Sequence, residues 1–455
     1  MHLGNVRTAL FNWLFARNQG GKFILRIEDT DLKRHVGDAI VAITDGLTWL
    51  GMDWDEGPGV NGEFGPYFQS ERLDLYRDAA RTLMDKGAAY ACSCFKEDRD
   101  IEHCTCAEHH DTHSIAEDVA VRFKNTGGQV SFSDIVAGDL TIDVEQFGDF
   151  ILIKSDGTPT YNFANVIDDH LMEITHVIRG DDHLSNTPRQ IVLYEQFGYV
   201  PPHFAHVPQI LGPDGSRMSK RHGAVSLDDY RQQGFLPEGM MNYLALLGWS
   251  PDGENEFMTP DELIKAFELD RVGQSPGQFN MDKLVHLNSL HMEKRSLSER
   301  SSIALRSLEK TDLLGGREPD PATREKVEDI VDALGSRFRY GAQIIEFGGH
   351  FFTENVDIDE ELFSYLESSS VRDALSRTAT RLEKADSWDE DTIESIVRST
   401  ATEYGLKAAP LIHGIRVSLS GTTIGPSLFT LVRLVGQDKA PRRLRRALQL
   451  VPGQE

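Results

Sequence analysis

Two short motifs carry residue types that could bind a nucleoside triphosphate. His2-Leu3-Gly4 stands ahead of an apolar segment, Leu10–Ala16, whose composition predicts a buried helix. A phosphate beside Gly4 would meet backbone N–H groups and the positive end of the helix dipole, and His2 could donate to its oxygens. Far downstream, glycines flank the loop Arg217-Met218-Ser219-Lys220-Arg221. This loop could close on a triphosphate, where the Lys220 ammonium would stabilise the charge that develops on departing pyrophosphate.

Three further segments carry residue types that could bind an amino acid. They are Arg26–Asp31, Pro159–Asn165 and Ile178–His183, and they supply carboxylates, a tyrosine hydroxyl, an amide and arginines. A carboxylate suits the α-ammonium group of an amino acid, and an arginine suits a side-chain carboxylate. Each short motif by itself is typical of an ordinary exposed turn, so only their combination indicates a site.

The elements that would position these groups follow one another as helix, strand and polar loop. Phe23–Ile27 and Ile174–Ile178 predict buried strands, Thr187–Phe197 predicts a helix, and Val207–Leu211 predicts a third short strand. This order is typical of an open α/β sheet, in which ligands bind beyond the carboxyl ends of the strands. A long insertion separates the first two units, and Val130–Ile135 within it alternates like a half-buried strand.

The second half of the sequence is predicted to be all-α. A helix is expected from Pro237 to Leu247, and the stretch from Gly315 to Pro321 is typical of a linker. Beyond the linker, apolar residues recur at helical spacing up to Leu450. Basic residues gather at Arg442–Arg446, where either contact with phosphate or an ordinary solvated helix is consistent with the pattern.

Composition sets limits on the function. A length of 455 residues predicts several domains, and no apolar run is long enough to span a bilayer. The first residues lack the features of a secretory signal, so we expect a cytoplasmic protein without membrane association. The net charge of −25 neither supports nor excludes a nucleic-acid partner, because net charge does not describe each face of a protein.

All four cysteines lie close together, in the pairs Cys92-x-Cys94 and Cys104-x-Cys106. A disulfide framework would be spread along a secreted chain, whereas two close pairs of thiolates can complete a tetrahedral zinc site. The sequence therefore predicts a structural Zn²⁺ site with these four ligands, and the alternative is four free thiols in a loop.

Several longer motifs resemble bacterial glutamyl-tRNA synthetases, a family of class I aminoacyl-tRNA synthetases. The similarity runs nearly from end to end. The motifs that carry it are Thr8–Arg17, Arg26–Asp31, Pro66–Arg72, Pro159–Asn165, Ser219–Ala224, Phe279–Leu284 and Ile415–Gly421. The resemblance implies an α/β Rossmann-like catalytic domain with an inserted acceptor-binding and zinc subdomain, followed by an all-α anticodon-binding domain.

The resemblance also implies a role for each candidate residue. Glu28 would hold the α-amino group of glutamate, Tyr161 and Asn165 would line its pocket, and Arg179 would pair with its γ-carboxylate. Glutamine would leave that arginine without a counter-charge, and such a mismatch discriminates strongly. Asp182 would lie near the glutamate or the terminal adenosine. The ATP-binding residues would be His2, Gly4, Arg217, Met218, Ser219, Lys220 and Arg221, with His2 and Lys220 catalytic.

By the same resemblance, the reaction would be ATP-dependent activation of L-glutamate in the presence of Mg²⁺, followed by glutamyl transfer to tRNA(Glu). Whether tRNA(Gln) is also charged stays open, and a monomer is expected. The expected domains are a first catalytic half (1–90), the inserted subdomain (91–170), a second catalytic half (171–230), a stem-contact region (231–310) and the helical anticodon-binding domain (311–455).

Two departures from the family pattern keep an alternative open. The basic loop starts with Arg217, where the family usually has lysine, which keeps the positive charge. The family also has a strand and an Ala-Pro-Ser-Pro-Thr-Gly-like turn ahead of its His-x-Gly motif, and here that motif starts at His2. The alternative is therefore an N-terminally truncated, catalytically impaired paralogue that binds tRNA. Glutaminyl-tRNA synthetase is disfavoured, because its second half is β-barrel.

Overall fold

The computed structural model describes residues 1–30, 36–93, 119–219, 221, 226–316 and 318–451. The chain forms two compact units. The first contains Met1–Asp228 and Met240–Met281, and the second contains Asp229–Gly239 and Asp282–Glu455. Strands lie in the first unit and the second is helical, as predicted from the sequence. The finer five-part division into domains stays a prediction.

Seventeen α-helices lie in the described residues. They are α1 (Leu3–Asn18), α2 (Val36–Leu50), α3 (Leu73–Asp85), α4 (Tyr161–Leu171), α5 (Thr187–Phe197), α6 (Leu227–Gln232), α7 (Pro237–Leu246), α8 (Pro260–Ala266), α9 (Met281–Glu293), α10 (Leu297–Leu308), α11 (Pro321–Leu334), α12 (Gln343–Gly348), α13 (Ser369–Glu383), α14 (Glu390–Glu403), α15 (Ala408–Ser420), α16 (Leu428–Val435) and α17 (Lys439–Leu450).

Nine strands form three sheets within the described ranges. They are β1 (Ala89–Cys92), β2 (Ala120–Phe123), β3 (Gln129–Asp134), β4 (Gly138–Asp143), β5 (Phe150–Ile153), β6 (His176–Gly180), β7 (His203–Val207), β8 (Ile210–Leu211) and β9 (Gly277–Gln278). One sheet has the antiparallel order β1-β2-β5, and the second has the order β4-β3-β7-β6. In the second sheet β3, β7 and β6 run parallel. Strands β6 and β7 end side by side, with Gly180 opposite Val207, whereas β3 ends opposite Phe204. Strands β8 and β9 form a small parallel pair.

Two predicted strands differ from the structure. The segment Phe23–Ile27 is extended but forms only isolated parallel bridges, from Ile24 to Glu56 and from Ile27 to Phe68. The strand predicted at Val207–Leu211 lies earlier, at β7, and β8 is a separate short strand. Pro208 separates the two because proline has no N–H to donate to a ladder. The strands predicted at Val130–Ile135 and Ile174–Ile178 correspond to β3 and β6, with shifted ends.

The second unit is held together by a core of buried aliphatic and aromatic side chains along α10–α17. A glycine ends one of these helices: Gly421 follows α15 with a φ of 68°. That left-handed conformation suits glycine, and a Cβ there would lie 2.2 Å from the carbonyl oxygen of Asp357. No helix in the described residues is both long and apolar enough to cross a membrane.

The basic segment at Arg442–Arg446 is largely occupied by contacts inside the second unit. Arg443 is buried and donates to the carbonyl oxygens of Leu419, His350 and Thr353. Arg445 pairs with Glu383, at 2.5 Å between nitrogen and oxygen. The structure therefore favours a packed, ion-paired helix over a free phosphate-binding surface for this segment.

Candidate active site

A cavity of about 600 Å³ opens in the first unit at the carboxyl end of β6. Its lining comes from four places: the first turns of α1, the segment from Phe23 to Glu28, the end of β6, and the chain from Pro208 to Met218. This position fits the rule that open α/β sheets bind ligands beyond the carboxyl ends of their strands. Seven candidate residues line it: His2, Gly4, Glu28, Arg179, Asp182, Arg217 and Met218.

His2 caps the helix that carries Gly4. Its Nδ1 accepts the backbone N–H of Gly4 at 3.2 Å, so Gly4 lies inside the first turn of α1 rather than ahead of the helix. Because Nδ1 accepts, the proton of the neutral ring lies on Nε2, which can donate to a ligand. Burial lowers the pKa of His2 and the nearby Arg217 lowers it further, against a raising hydrogen bond with the Met218 backbone. The ring is therefore neutral at pH 7.

The basic loop is anchored beside His2. The Met218 N–H donates to the Ile210 carbonyl at 3.3 Å, and the Met218 side chain is buried. Arg217 is 73% exposed and lies 3.5 Å from a carboxylate oxygen of Asp182. An ion pair that exposed contributes little stability, so a ligand can displace it at small cost.

The later part of the loop folds back on itself. Arg221 donates to the Ser216 hydroxyl at 2.6 Å and lies 3.6 Å from Asp214. Ser219 is half-buried and is not part of the cavity lining. Lys220 lies outside the described residues, so its predicted role stays a prediction.

A polar stripe on α1, which sequence reasoning missed, forms one wall of the cavity. Gly4, Thr8 and Asn12 lie four residues apart and all line it. The Thr8 hydroxyl donates to the Gly4 carbonyl at 3.1 Å, and the Asn12 amide donates to the Ile178 carbonyl at 2.9 Å. Asn12 thus ties α1 to β6. The signal available in the sequence was the spacing of Gly4, Thr8 and Asn12 at i, i+4 and i+8, which puts all three on one face of a helix.

Arg179, at the end of β6, is a buried cation in the cavity lining. It is 9% exposed and donates through NH2 to the Thr187 hydroxyl and the Gln190 amide oxygen, each at 2.8 Å. Its Nε donates to Nε2 of His206 at 3.0 Å. Among the described residues, no carboxylate oxygen lies within ion-pair distance of this guanidinium. A buried positive charge without a counter-charge creates a site for an anion.

Tyr161 and Asn165 lie outside the cavity lining but contact residues that line it. Tyr161 begins α4, is 37% exposed, and its hydroxyl accepts from NH1 of Arg179 at 3.4 Å. Asn165 is buried one turn further along α4. Its side-chain oxygen accepts from Gln69 at 3.2 Å, and its side chain is near enough to Glu28 to lower the pKa of that carboxyl group. In this structure both residues therefore support the lining rather than form it.

Glu28 and Asp182 are carboxylates of the cavity lining, and Glu28 is the one beside Arg26. Its side chain is 41% exposed and lies 3.6 Å from NH2 of Arg26. Desolvation within the recess raises the pKa of Glu28 and Asp169 raises it further, against the lowering effects of Arg26 and Asn165. An ammonium group bound beside it would favour the ionised carboxylate.

A buried polar network behind Glu28 fixes the position of α4. Asp168 is fully buried and accepts from Arg72 Nε at 2.7 Å, from the Tyr76 hydroxyl at 2.8 Å and from Gln69 at 2.9 Å. The next residue, Asp169, accepts from Arg26 at 2.8 Å. Because every charge in the network has partners, removing one of them would leave another buried and unpaired.

Asp182 follows β6 at the cavity mouth. Its Oδ1 lies against Gly180: a Cβ at residue 180 would be 2.5 Å away, so a larger residue there would displace the Asp182 side chain. Asp182 is 42% exposed, and Arg217 is its ion-pair partner. It therefore links the end of β6 to the basic loop.

The predicted zinc ligands are mostly outside the described part of the chain. Cys92 ends β1 and its side chain is buried, whereas Cys94, Cys104 and Cys106 are not among the described residues. The residues that are described contain no group of three or more His, Cys, Asp or Glu side chains that could hold a metal ion. The zinc site stays a prediction.

Family models match both parts of the chain. Residues 1–286 match the catalytic domain of class I tRNA synthetases (E and Q), and residues 303–448 match an anticodon-binding domain.

Similar proteins match over nearly the whole chain. A glutamate–tRNA ligase of Bacillus subtilis (strain 168) is 39% identical over 98% of this chain and 96% of its own length. A glutamate–tRNA ligase of Moorella thermoacetica is 38% identical over 99% of this chain and 96% of its own length. Among solved structures, a glutamate tRNA ligase from Elizabethkingia meningosepticum in complex with its amino acid has a TM-score of 0.82 at 30% identity, over 99% of this chain and 97% of that one.

Proposed function

The chain belongs to the glutamate–tRNA ligases, a family of class I tRNA synthetases, and we propose that it joins L-glutamate to tRNA(Glu) with consumption of ATP. Family membership confirms the resemblance inferred from the motifs. The observation that carries the substrate assignment is Arg179, a buried guanidinium without a carboxylate partner among the described residues. Glutamate brings the missing γ-carboxylate, and glutamine does not.

The geometry supports one arrangement of glutamate. The γ-carboxylate pairs with Arg179 and the α-ammonium group with Glu28, both of which line the cavity. Tyr161 contacts Arg179 and Asn165 contacts Glu28, so these two residues hold the binding groups in position. With both ends held, the α-carboxylate remains as the free nucleophile. Binding of this kind replaces a chance encounter by a fixed approach, which lowers the entropic part of the barrier.

ATP enters with Mg²⁺ as its counter-ion and meets the first turn of α1. Gly4 allows close approach of the phosphates, and Nε2 of His2 donates to them. The side chains of Arg217, Lys220 and Arg221 supply positive charge. An oxygen of the α-carboxylate attacks the α-phosphorus, the bond to the β-phosphate oxygen breaks, and pyrophosphate leaves with that electron pair. The terminal hydroxyl of tRNA then attacks the glutamyl carbonyl, and AMP leaves.

The helical unit contacts tRNA in this proposal, because residues 303–448 match an anticodon-binding domain. Charging of tRNA(Gln), a monomeric state and a cytoplasmic location stay predictions. The spacing of the four cysteines supports a structural zinc bound by Cys92, Cys94, Cys104 and Cys106.

The test is glutamylation of tRNA(Glu) by the full chain, with glutamine as the competing substrate. We expect charging with glutamate and a large preference over glutamine. Arg179→Gln should raise the KM for glutamate by about 100-fold or more, because a buried charged partner is lost. The Arg189→Gln variant is the control, since Arg189 lies on α5 outside the cavity lining. Binding of tRNA without any charging would overturn the proposal and support the tRNA-binding paralogue.

A further inference from the structure

Three polar side chains form a buried line across three neighbouring parallel strands. Asp134 ends β3, His206 lies in β7 and Arg179 lies in β6, directly opposite His206 in the ladder. His206 Nδ1 and Asp134 Oδ2 are 2.6 Å apart, and Arg179 Nε donates to His206 Nε2 at 3.0 Å. Asp134 and His206 are each 2% exposed. Neither residue lines the cavity.

The protons in this line have one consistent arrangement. The Nε of arginine can only donate, so Nε2 of His206 accepts and the ring proton lies on Nδ1, facing Asp134. The Thr187 hydroxyl lies 3.1 Å from Nε2 of His206 and can donate to it as well. Burial alone would raise the pKa of Asp134, but hydrogen bonds from His206 and from the Ala137 backbone outweigh it, and the net shift is downward. An ionised Asp134 therefore fixes the tautomer of His206.

We propose that Asp134 and His206 are positioning residues for glutamate selectivity. By presenting an accepting ring nitrogen to Nε of Arg179, they fix the guanidinium plane and leave Nη1 directed to the γ-carboxylate. The inference rests on the proposed pairing of Arg179 with glutamate. The competing explanation is that the pair only stabilises the sheet, because Oδ1 of Asp134 also accepts backbone N–H groups from Val136, Ala137 and His206.

Asp134→Asn separates the two explanations. The amide oxygen can keep the three backbone hydrogen bonds, so its amino group then faces Nδ1 of His206. Nδ1 must accept, the ring proton moves to Nε2, and two N–H groups oppose each other between His206 and Arg179. We expect the KM for glutamate to rise about 10- to 100-fold, with the KM for ATP unchanged and the preference for glutamate over glutamine reduced. A purely structural role predicts a lower melting temperature with unchanged KM.

A second variant provides a rescue. Glutamine at position 206 can present a side-chain oxygen near the place of Nε2, which accepts from Arg179 whatever stands at position 134. The double variant Asp134→Asn/His206→Gln should therefore recover much of the glutamate affinity that Asp134→Asn alone loses. A destabilised sheet would make the double variant worse than either single one.

The outcomes distinguish this inference from the function on which it rests. Asp143→Asn, at the end of β4 in the same sheet, removes an equivalent charge without a link to Arg179 and should leave both KM values unchanged. If Arg179→Gln raises the KM for glutamate but Asp134→Asn does not, the positioning role is wrong and the substrate assignment stands. If Arg179→Gln leaves that KM unchanged, the substrate assignment itself fails. If the effects of Asp134→Asn and His206→Gln on the KM for glutamate simply add in the double variant, the positioning role is also wrong.

Discussion

The Nδ1 atom of His2 accepts the backbone N–H of Gly4 at 3.2 Å, so the first histidine of the chain is a helix cap as well as a cavity residue. The cap occupies Nδ1, and Nε2 faces the Met218 backbone, a contact that a ligand can replace. Two functions of one side chain can therefore be separated by substitutions that keep only one of its nitrogens.

His2→Asn keeps an acceptor at the position of Nδ1 and loses the donor at Nε2. We expect normal stability but a loss of about 10-fold or more in ATP-dependent glutamate activation, because a hydrogen bond to a charged phosphate is removed. His2→Gln should show the reverse: weaker capping, with partial activity from its terminal amide. Thermal unfolding and tRNA-dependent pyrophosphate exchange measure the two effects. Equal activity in the two variants would contradict a donor role for Nε2.

Gly4→Ala tests whether the glycine leaves space for the nucleotide. A Cβ at this position would meet only the His2 ring, at 3.5 Å, so the protein itself can accept it. Alanine favours a helix over glycine by about 1 kcal/mol, and we expect unchanged or higher stability. The KM for ATP should nevertheless rise, because the methyl group projects beside the phosphate position. Gly37→Ala, in α2 and outside the cavity lining, adds the same methyl group and is the control. An unchanged KM for ATP in Gly4→Ala would place the phosphates elsewhere.

Lys220→Ala removes the cation assigned to departing pyrophosphate. We expect glutamyl-adenylate formation to fall by about 10- to 100-fold, as for loss of a group that stabilises charge in the transition state. The KM for glutamate should change little, because the glutamate groups are Arg179 and Glu28. Lys310→Ala, in the helical unit, is the matched control. Near-normal adenylate formation in Lys220→Ala would refute the assigned role.

Local sequence patterns predict most helices and strands near the site, but they do not predict which strands pair with one another. The helix around Leu10, the strand before Gly180 and the helix after Thr187 follow from apolar spacing and from the glycine and proline positions near their ends. The extended segment before Glu28 was predicted as a full strand. Strong apolar, β-branched composition indicates extended backbone, but whether a ladder forms depends on the partner that lies alongside.

The Asp134–His206 pair could not be derived from the sequence. The two residues are 72 positions apart, and their contact exists because β3 and β7 lie side by side and parallel in the sheet. The sequence places Asp134 within the alternating strand Val130–Ile135 and His206 beside the short apolar run Val207–Leu211. Only the strand order brings their side chains to the back of Arg179, and strand order is not a local property.

The cysteine prediction can be checked by metal content. We expect bound zinc in the purified chain, and Cys104→Ser should lose it, because three thiolates hold zinc less well than four. His103→Gln is the neighbouring control and should retain the metal, since four thiolates suffice. Removal of zinc by a chelator should lower the melting temperature. Zinc-free native protein, or loss of zinc in His103→Gln, would contradict the predicted ligand set.

His350 should make the helical unit sensitive to acid. Burial, together with the positive charges of Arg443, Arg416 and Lys326, lowers the pKa of His350 from 6.5 to about 3. Below about pH 6.5 the unfolded chain binds a proton at His350, whereas the folded chain binds it only below about pH 3. The free energy of unfolding therefore decreases as the pH is lowered from about 6.5 to about 3.

Between pH 7 and pH 5 the stability lost through this one group is about 2 kcal/mol, at about 1.4 kcal/mol for each pH unit below the ordinary pKa. Hydrogen exchange of the amides of α17 reports on the unit that contains His350. His350→Gln should reduce the difference in the free energy of unfolding between pH 7 and pH 5, whatever its effect on stability at pH 7. His413→Gln removes an exposed histidine of the same unit and should leave the difference unchanged. If both variants keep the full acid sensitivity, the effect belongs to other groups.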